Sequence, residues 1–111
     1  MLKQDLERTY ADYIRELKRQ LGGYWWGPVD SFRHLMHPEA AISCGERAEE
    51  LFRRLKEVVA RYQAQDSVNL RIIDAAVHAL VLVHVRFVDR AGRLQADTFV
   101  FDPWFGMRLR W

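Results

Sequence analysis

The chain has 111 residues, half of them hydrophobic, with six Phe, four Tyr and four Trp. That is enough apolar material for one packed core and argues against a disordered chain. Seventeen basic against fifteen acidic residues leave a net charge of +2 with no basic block interleaved with aromatics, which argues against nucleic acid as a partner.

The first predicted element is an amphipathic helix over residues 1–22. Leu2, Leu6, Tyr10, Tyr13, Leu17 and Leu21 recur at steps of three and four, with charged residues between them. Gly22-Gly23 stops it. Its charged start, Lys3 to Glu7, does not read as a signal peptide. No apolar run approaches the ~18 residues needed to span a bilayer.

Residues 23–43 read as an aromatic loop with a short helical turn over 30–36. Gly23-Tyr24-Trp25-Trp26-Gly27-Pro28 mixes backbone breakers with large rings. Ser43, with Glu46 three places on, makes a capping-box pattern. A second helix then runs over residues 44–63. Its apolar face is Ala48, Leu51, Phe52, Leu55, Val58, Val59 and Tyr62. Residues 67–104 carry antiparallel strands: 67–73, the β-branched run 77–88, a hairpin turn at Asp89-Arg90-Ala91-Gly92, and 94–102, closed by Pro103. Helices first and a strand meander last make an α+β fold in a single domain, 1–111.

The single cysteine, Cys44, cannot form an internal disulfide or a multi-cysteine metal site. It falls in the first turn of the second helix, where unpaired N–H groups and the helix dipole lower a thiol pKa. A nucleophilic thiol needs a base, and the base a group that orients it. If Val88 pairs with Gly92, His78 falls directly opposite Asp102. A register slip of one residue would put them on opposite faces, so the pair demands a three- or five-residue loop, or a bulge. His84, ~20 Å further along the strand, would lie opposite Ala96 with no carboxylate across from it, so His78 is the better base. His34 and His37 lack the further ligands a metal site needs. No metal and no cofactor is expected. Trp25, Trp26 and Trp104 are candidate walls of a substrate groove, or core residues.

Three blocks carry a family resemblance: Ser43-Cys44-Gly45-Glu46-Arg47-Ala48, His78-Ala79-Leu80-Val81-Leu82-Val83 and Phe101-Asp102-Pro103-Trp104. Together they resemble the papain-like and transglutaminase-like cysteine hydrolases, and in particular the compact papain-fold toxin and effector domains of bacteria. The resemblance implies a papain-like fold with the nucleophile helix packed on a small antiparallel sheet. It also implies a Cys44–His78–Asp102 triad acting on amide bonds. Backbone N–H groups at Cys44, or the Gln20 side chain, would hold the oxyanion.

The implied reaction is glutamine deamidation of a protein substrate, with proteolysis and transglutamination as alternatives on the same triad. The resemblance further implies a bacterial protein made in the cytoplasm, delivered to a target cell as part of a secreted toxin or effector, and met there by a cognate immunity or inhibitor protein. A reading of another class makes the chain a non-enzymatic interaction domain in which Cys44 is buried and inert.

Overall fold

The computed structural model describes residues 2–36, 44–64, 67–75 and 78–110. Helix α1 (Leu2–Leu21) leads through a 3₁₀ turn (Gly22–Tyr24) into α2 (Gly27–Met36), and α3 (Cys44–Arg61) follows. Four strands complete the chain: β1 (Val68–Ala75), β2 (His78–Val88), β3 (Leu94–Asp102) and β4 (Met107–Arg110). They form one antiparallel sheet in sequence order, so the fold is α+β. Among the described residues no helix is long and apolar enough to cross a membrane.

The sheet's period of two decides which side becomes core. Ala79, Val81, Val83 and Val85 of β2 are buried, as are Phe99 and Phe101 of β3. Across this face lie the apolar stripes of α1 (Leu6, Tyr10, Tyr13, Ile14, Leu17, Leu21) and α3 (Ala48, Leu51, Leu55, Val58, Val59). The Tyr10 ring stacks on Phe101 with centroids 4.4 Å apart. Phe52 packs only partly against this core, and Tyr62 lies outside it, 43% exposed and hydrogen-bonded to Asp5.

The two long helices run antiparallel. Tyr62 near the end of α3 meets Asp5 near the start of α1, while Arg54 reaches Glu16 at 2.6 Å and lies over the Tyr13 ring. The start of α3 therefore sits beside the end of α1 and the residues that follow it.

Three details refine or depart from the sequence expectations. The segment after α1 is mostly helical: α2 takes ten residues, Gly27–Met36, with Pro28 in its first turn, where a missing N–H costs nothing. The remainder of the expected loop, including His37 and the capping residue Ser43, lies outside the described residues. The β2–β3 loop spans five residues, one of the two expected lengths, with Val88 paired to Leu94 rather than to Gly92. Gly92 takes the left-handed conformation at φ +78° and donates to the Asp89 carbonyl, while Asp89 Oδ1 accepts from the N–H groups of Ala91 and Arg93. Finally, β3 ends at Asp102, before Pro103 as expected, but the sheet gains a strand beyond it. Residues 103–106 form a tight turn into β4, closed by the Gly106 N–H on the Asp102 carbonyl, with Gly106 at φ +71°.

Candidate active site

Register brings the proposed base and its orienting acid to one end of the sheet. His78 is the first residue of β2 and pairs with Ala75. The β2–β3 ladder runs from Val88↔Leu94 to Val81↔Phe101. Continued by one pair, it sets Asp102 level with Leu80. Position 78 is then one pleat period from the position opposite Asp102 and has the same parity. The expected direct opposition is replaced by a diagonal one, since the observed loop shifts the partner by two residues. Diagonal neighbours of this kind are ~7–8 Å apart, within reach of long side chains. The same shift puts His84 opposite Thr98 instead of Ala96, and its Nδ1 lies 2.6 Å from the Thr98 hydroxyl.

Asp102 is buried and held on both its polar ends. Its Oδ1 accepts from the N–H groups of Trp104 (2.9 Å) and Phe105 (3.1 Å), so the carboxylate caps the turn that follows it. Its carbonyl accepts from Gly106 N–H and lies 2.8 Å from the Tyr10 hydroxyl. A carboxylate tied to its own turn in this way cannot swing freely. That is what an orienting acid requires.

Cys44 begins α3, and it and His78 are described here by backbone position alone. The helix start leaves N–H groups without intrahelical acceptors, the partial positive charge that favours a thiolate. In the same turn, Arg47 is fully buried. Its Nη2 donates to Asp30 Oδ2 at 2.5 Å, and its Nη1 donates to the carbonyls of Trp25 at 2.7 Å and Pro103 at 3.3 Å. Its guanidinium carbon stands 5.1 Å from the Trp104 ring centroid. The first turn of α3 is thus tied to the turn that begins at Asp102.

The three tryptophans gather around this junction. Trp104 is close enough to α2 that a Cβ on Gly27 would come 2.4 Å from both its ring and its carbonyl oxygen, and Gly27 N–H donates to that oxygen at 2.6 Å. Trp25 lies against Gly106, where a Cβ would come within 2.8 Å of the ring, and Lys18 Nζ stands 4.6 Å from the Trp25 ring centroid. Trp26 is 42% exposed and meets Phe105 edge-on at 5.8 Å.

Gln20 is exposed at the end of α1, its amide donating to Glu16 Oε1 at 3.3 Å. It lines a surface groove of about 560 Å³ together with Tyr13, Glu46 and Glu49, beside the first turns of α3. Among the described residues no cluster of His, Cys, Asp and Glu could hold a metal ion.

Sequence reasoning passed over Arg47 and Asp30. A signal was present for Arg47: it stands three residues after Cys44 and four before Leu51, on the inward stripe, but reads as one more charge between apolar positions. Nothing comparable marks Asp30, whose partner is distant in sequence.

No family model, curated protein or solved structure matches the chain.

Proposed function

We propose that this chain is a papain-like cysteine amidohydrolase with Cys44 as nucleophile, His78 as base and Asp102 as the orienting acid. The reading is supported by one observation: the first turn of α3 is tied through Arg47 to the carbonyl of Pro103, the residue after Asp102, at the end of the sheet where β2 begins with His78. A thiol, an imidazole and a carboxylate must be brought within bonding reach to work as one unit, and under this reading the side chains of Cys44 and His78 meet Asp102 at this end of the sheet.

The chemistry follows from the roles. His78 takes the Cys44 proton, and the thiolate attacks a carboxamide carbonyl. N–H groups at the start of α3 stabilise the oxyanion. The tetrahedral adduct collapses as His78 returns the proton to the leaving nitrogen, which departs as ammonia and leaves a thioester. Water, deprotonated by His78, then cleaves the thioester and frees the thiol. On a glutamine side chain the product is glutamate. Trp25, Trp26 and Trp104 would wall the groove over which a protein substrate lies, with Trp26 the exposed one of the three.

Deamidation is the preferred outcome, as part of a bacterial toxin or effector whose cellular counterpart would be an immunity protein. The test is intact-mass analysis of candidate protein substrates incubated with the chain. A gain of about one dalton per site, lost in Cys44→Ala and His78→Ala, is expected from amide hydrolysis through the thioester. Substrate fragments would instead assign proteolysis. Retention of full activity by both variants would overturn the triad.

A second reading, a non-enzymatic interaction domain, is favoured by a separate feature. Helix α2 leaves Phe32, Leu35 and Met36 exposed at 63%, 77% and 60%. Under it, Cys44 resists alkylation until the protein unfolds.

A further inference from the structure

The structure assigns Arg47 as the positioning residue that sets the first turn of α3 against the turn that begins at Asp102. The inference rests on the reading of Cys44 as nucleophile and deepens it.

A guanidinium at zero exposure is a costly way to fill space. Removing a charged pair from water costs several kcal/mol per ion, and apolar residues of like volume often do as well or better for stability. What an apolar residue cannot supply is directional bonding. Arginine offers donors in a rigid planar fork. Here the fork joins pieces of chain far apart in sequence. Nη2 binds the Asp30 carboxylate of α2. Nη1 bridges the carbonyl of Trp25, which precedes α2, and that of Pro103, the residue after Asp102. The guanidinium carbon stands over the Trp104 ring.

The four contacts join α3, α2, the segment before α2, and the β3–β4 turn. These pieces carry Cys44, the tryptophan walls and Asp102. Displacing a reacting group by ~1 Å can cost ~100-fold in rate, so a bond network that fixes these pieces together bears on reactivity apart from stability.

The test reads the thiol itself and needs no substrate. Cys44 is the only cysteine, so every alkylation event reports on it. The rate of iodoacetamide labelling is followed against pH for the parent, for the double variant Arg47→Met with Asp30→Leu, and for Arg47→Lys. The double variant keeps apolar volume and removes both charges of the pair. Arg47→Lys keeps the charge but has one terminal nitrogen in place of the fork. Circular dichroism and thermal melts establish that each is folded.

The parent is expected to label rapidly well below the free-thiol pKa of about 8.5. In the folded double variant this low-pH labelling should fall by about tenfold or more, equivalent to the ~1.4 kcal/mol that a factor of ten represents. Arg47→Lys should fall in the same direction by a smaller factor, and it decides the matter if the double variant does not fold. A merely structural arginine would shift the melt and leave the labelling profile of the folded protein unchanged. Superposition of the profiles of the folded variants on that of the parent overturns the positioning role and leaves the nucleophile reading intact. Absence of low-pH labelling in the parent overturns the nucleophile reading, and the positioning role with it.

Discussion

The Tyr10 hydroxyl lies 2.8 Å from the carbonyl of Asp102 and equally far from that of Met107, so one side chain of α1 spans both ends of the β3–β4 turn. Burial pushes its phenol pKa up, and the nearby Asp102 carboxylate adds to the rise, so the hydroxyl stays a donor over the whole working range. Its one proton serves one carbonyl at a time. Asp102 retains the Gly106 N–H whichever is chosen. Tyr10→Phe should therefore cost about 1 kcal/mol, the net worth of one hydrogen bond, and keep the Phe101 stack. Denaturant midpoints with an unchanged slope would show it. A variant as stable as the parent would mean the hydroxyl does not hold the turn.

Gly27 is where α2 touches the same turn. A methyl there would meet the Trp104 carbonyl oxygen at 2.4 Å, and a backbone atom cannot step aside as a flexible side chain can. Gly27→Ala should destabilise by about 1–3 kcal/mol, as overpacking does, and should alter tryptophan fluorescence in the native state. An unchanged melt and emission spectrum would refute the close approach.

The two long helices and the three longer strands were legible because their apolar periods, near 3.6 and 2, match the faces they bury. Leu6, Leu17, Leu51 and Leu55 fall on the expected stripes and are all buried. The short β4 was not legible. Met107-Arg108-Leu109-Arg110 alternates over only four residues, and its place depends on pairing with β3. The register of β2 was half legible. Sequence required an odd loop for His78 and Asp102 to share parity, but choosing five residues over three depends on how Asp89 and Gly92 close the turn. The Arg47–Asp30 pair was hidden for a different reason. A buried ion pair resembles two surface charges until the fold brings the partners together.

Tyr13 is buried between α1 and α3, and burial, only partly opposed by Arg47 and Arg54, lifts its phenol pKa to about 12. An unfolded tyrosine ionises near pH ~10. Because the folded value is the higher, the contribution to stability is complete below about pH 10 and is lost as pH rises toward about 12. Over that window Tyr13→Phe should lose stability less steeply than the parent in denaturant titrations. Parallel curves would contradict the buried neutral phenol.

Glu50 is held by hydrogen bonds from Arg53 and then Arg54, which lower its pKa to about 2, and Arg54 also pairs with Glu16 of α1. A depressed carboxylate contributes stability above its unfolded pKa of about 4.3 and loses it as pH falls through the folded value. Glu50→Gln should flatten the acid limb between roughly pH 5 and pH 2. Since the group is partly solvated, the difference should shrink in high salt. An acid limb identical to that of the parent at low salt would remove this pair from the stability account.

The central claim is that the start of α3 and the adjoining ends of β2 and β3 make Cys44 a paired, ionised thiol. Ultraviolet titration of the thiolate in the parent and in His78→Ala tests it most directly. The account predicts ionisation well below the free-cysteine value of about 8.5 in the parent, moving back toward that value when the imidazole is removed. A parent thiol that titrates at or above about 8.5, or a value indifferent to His78→Ala, would contradict it.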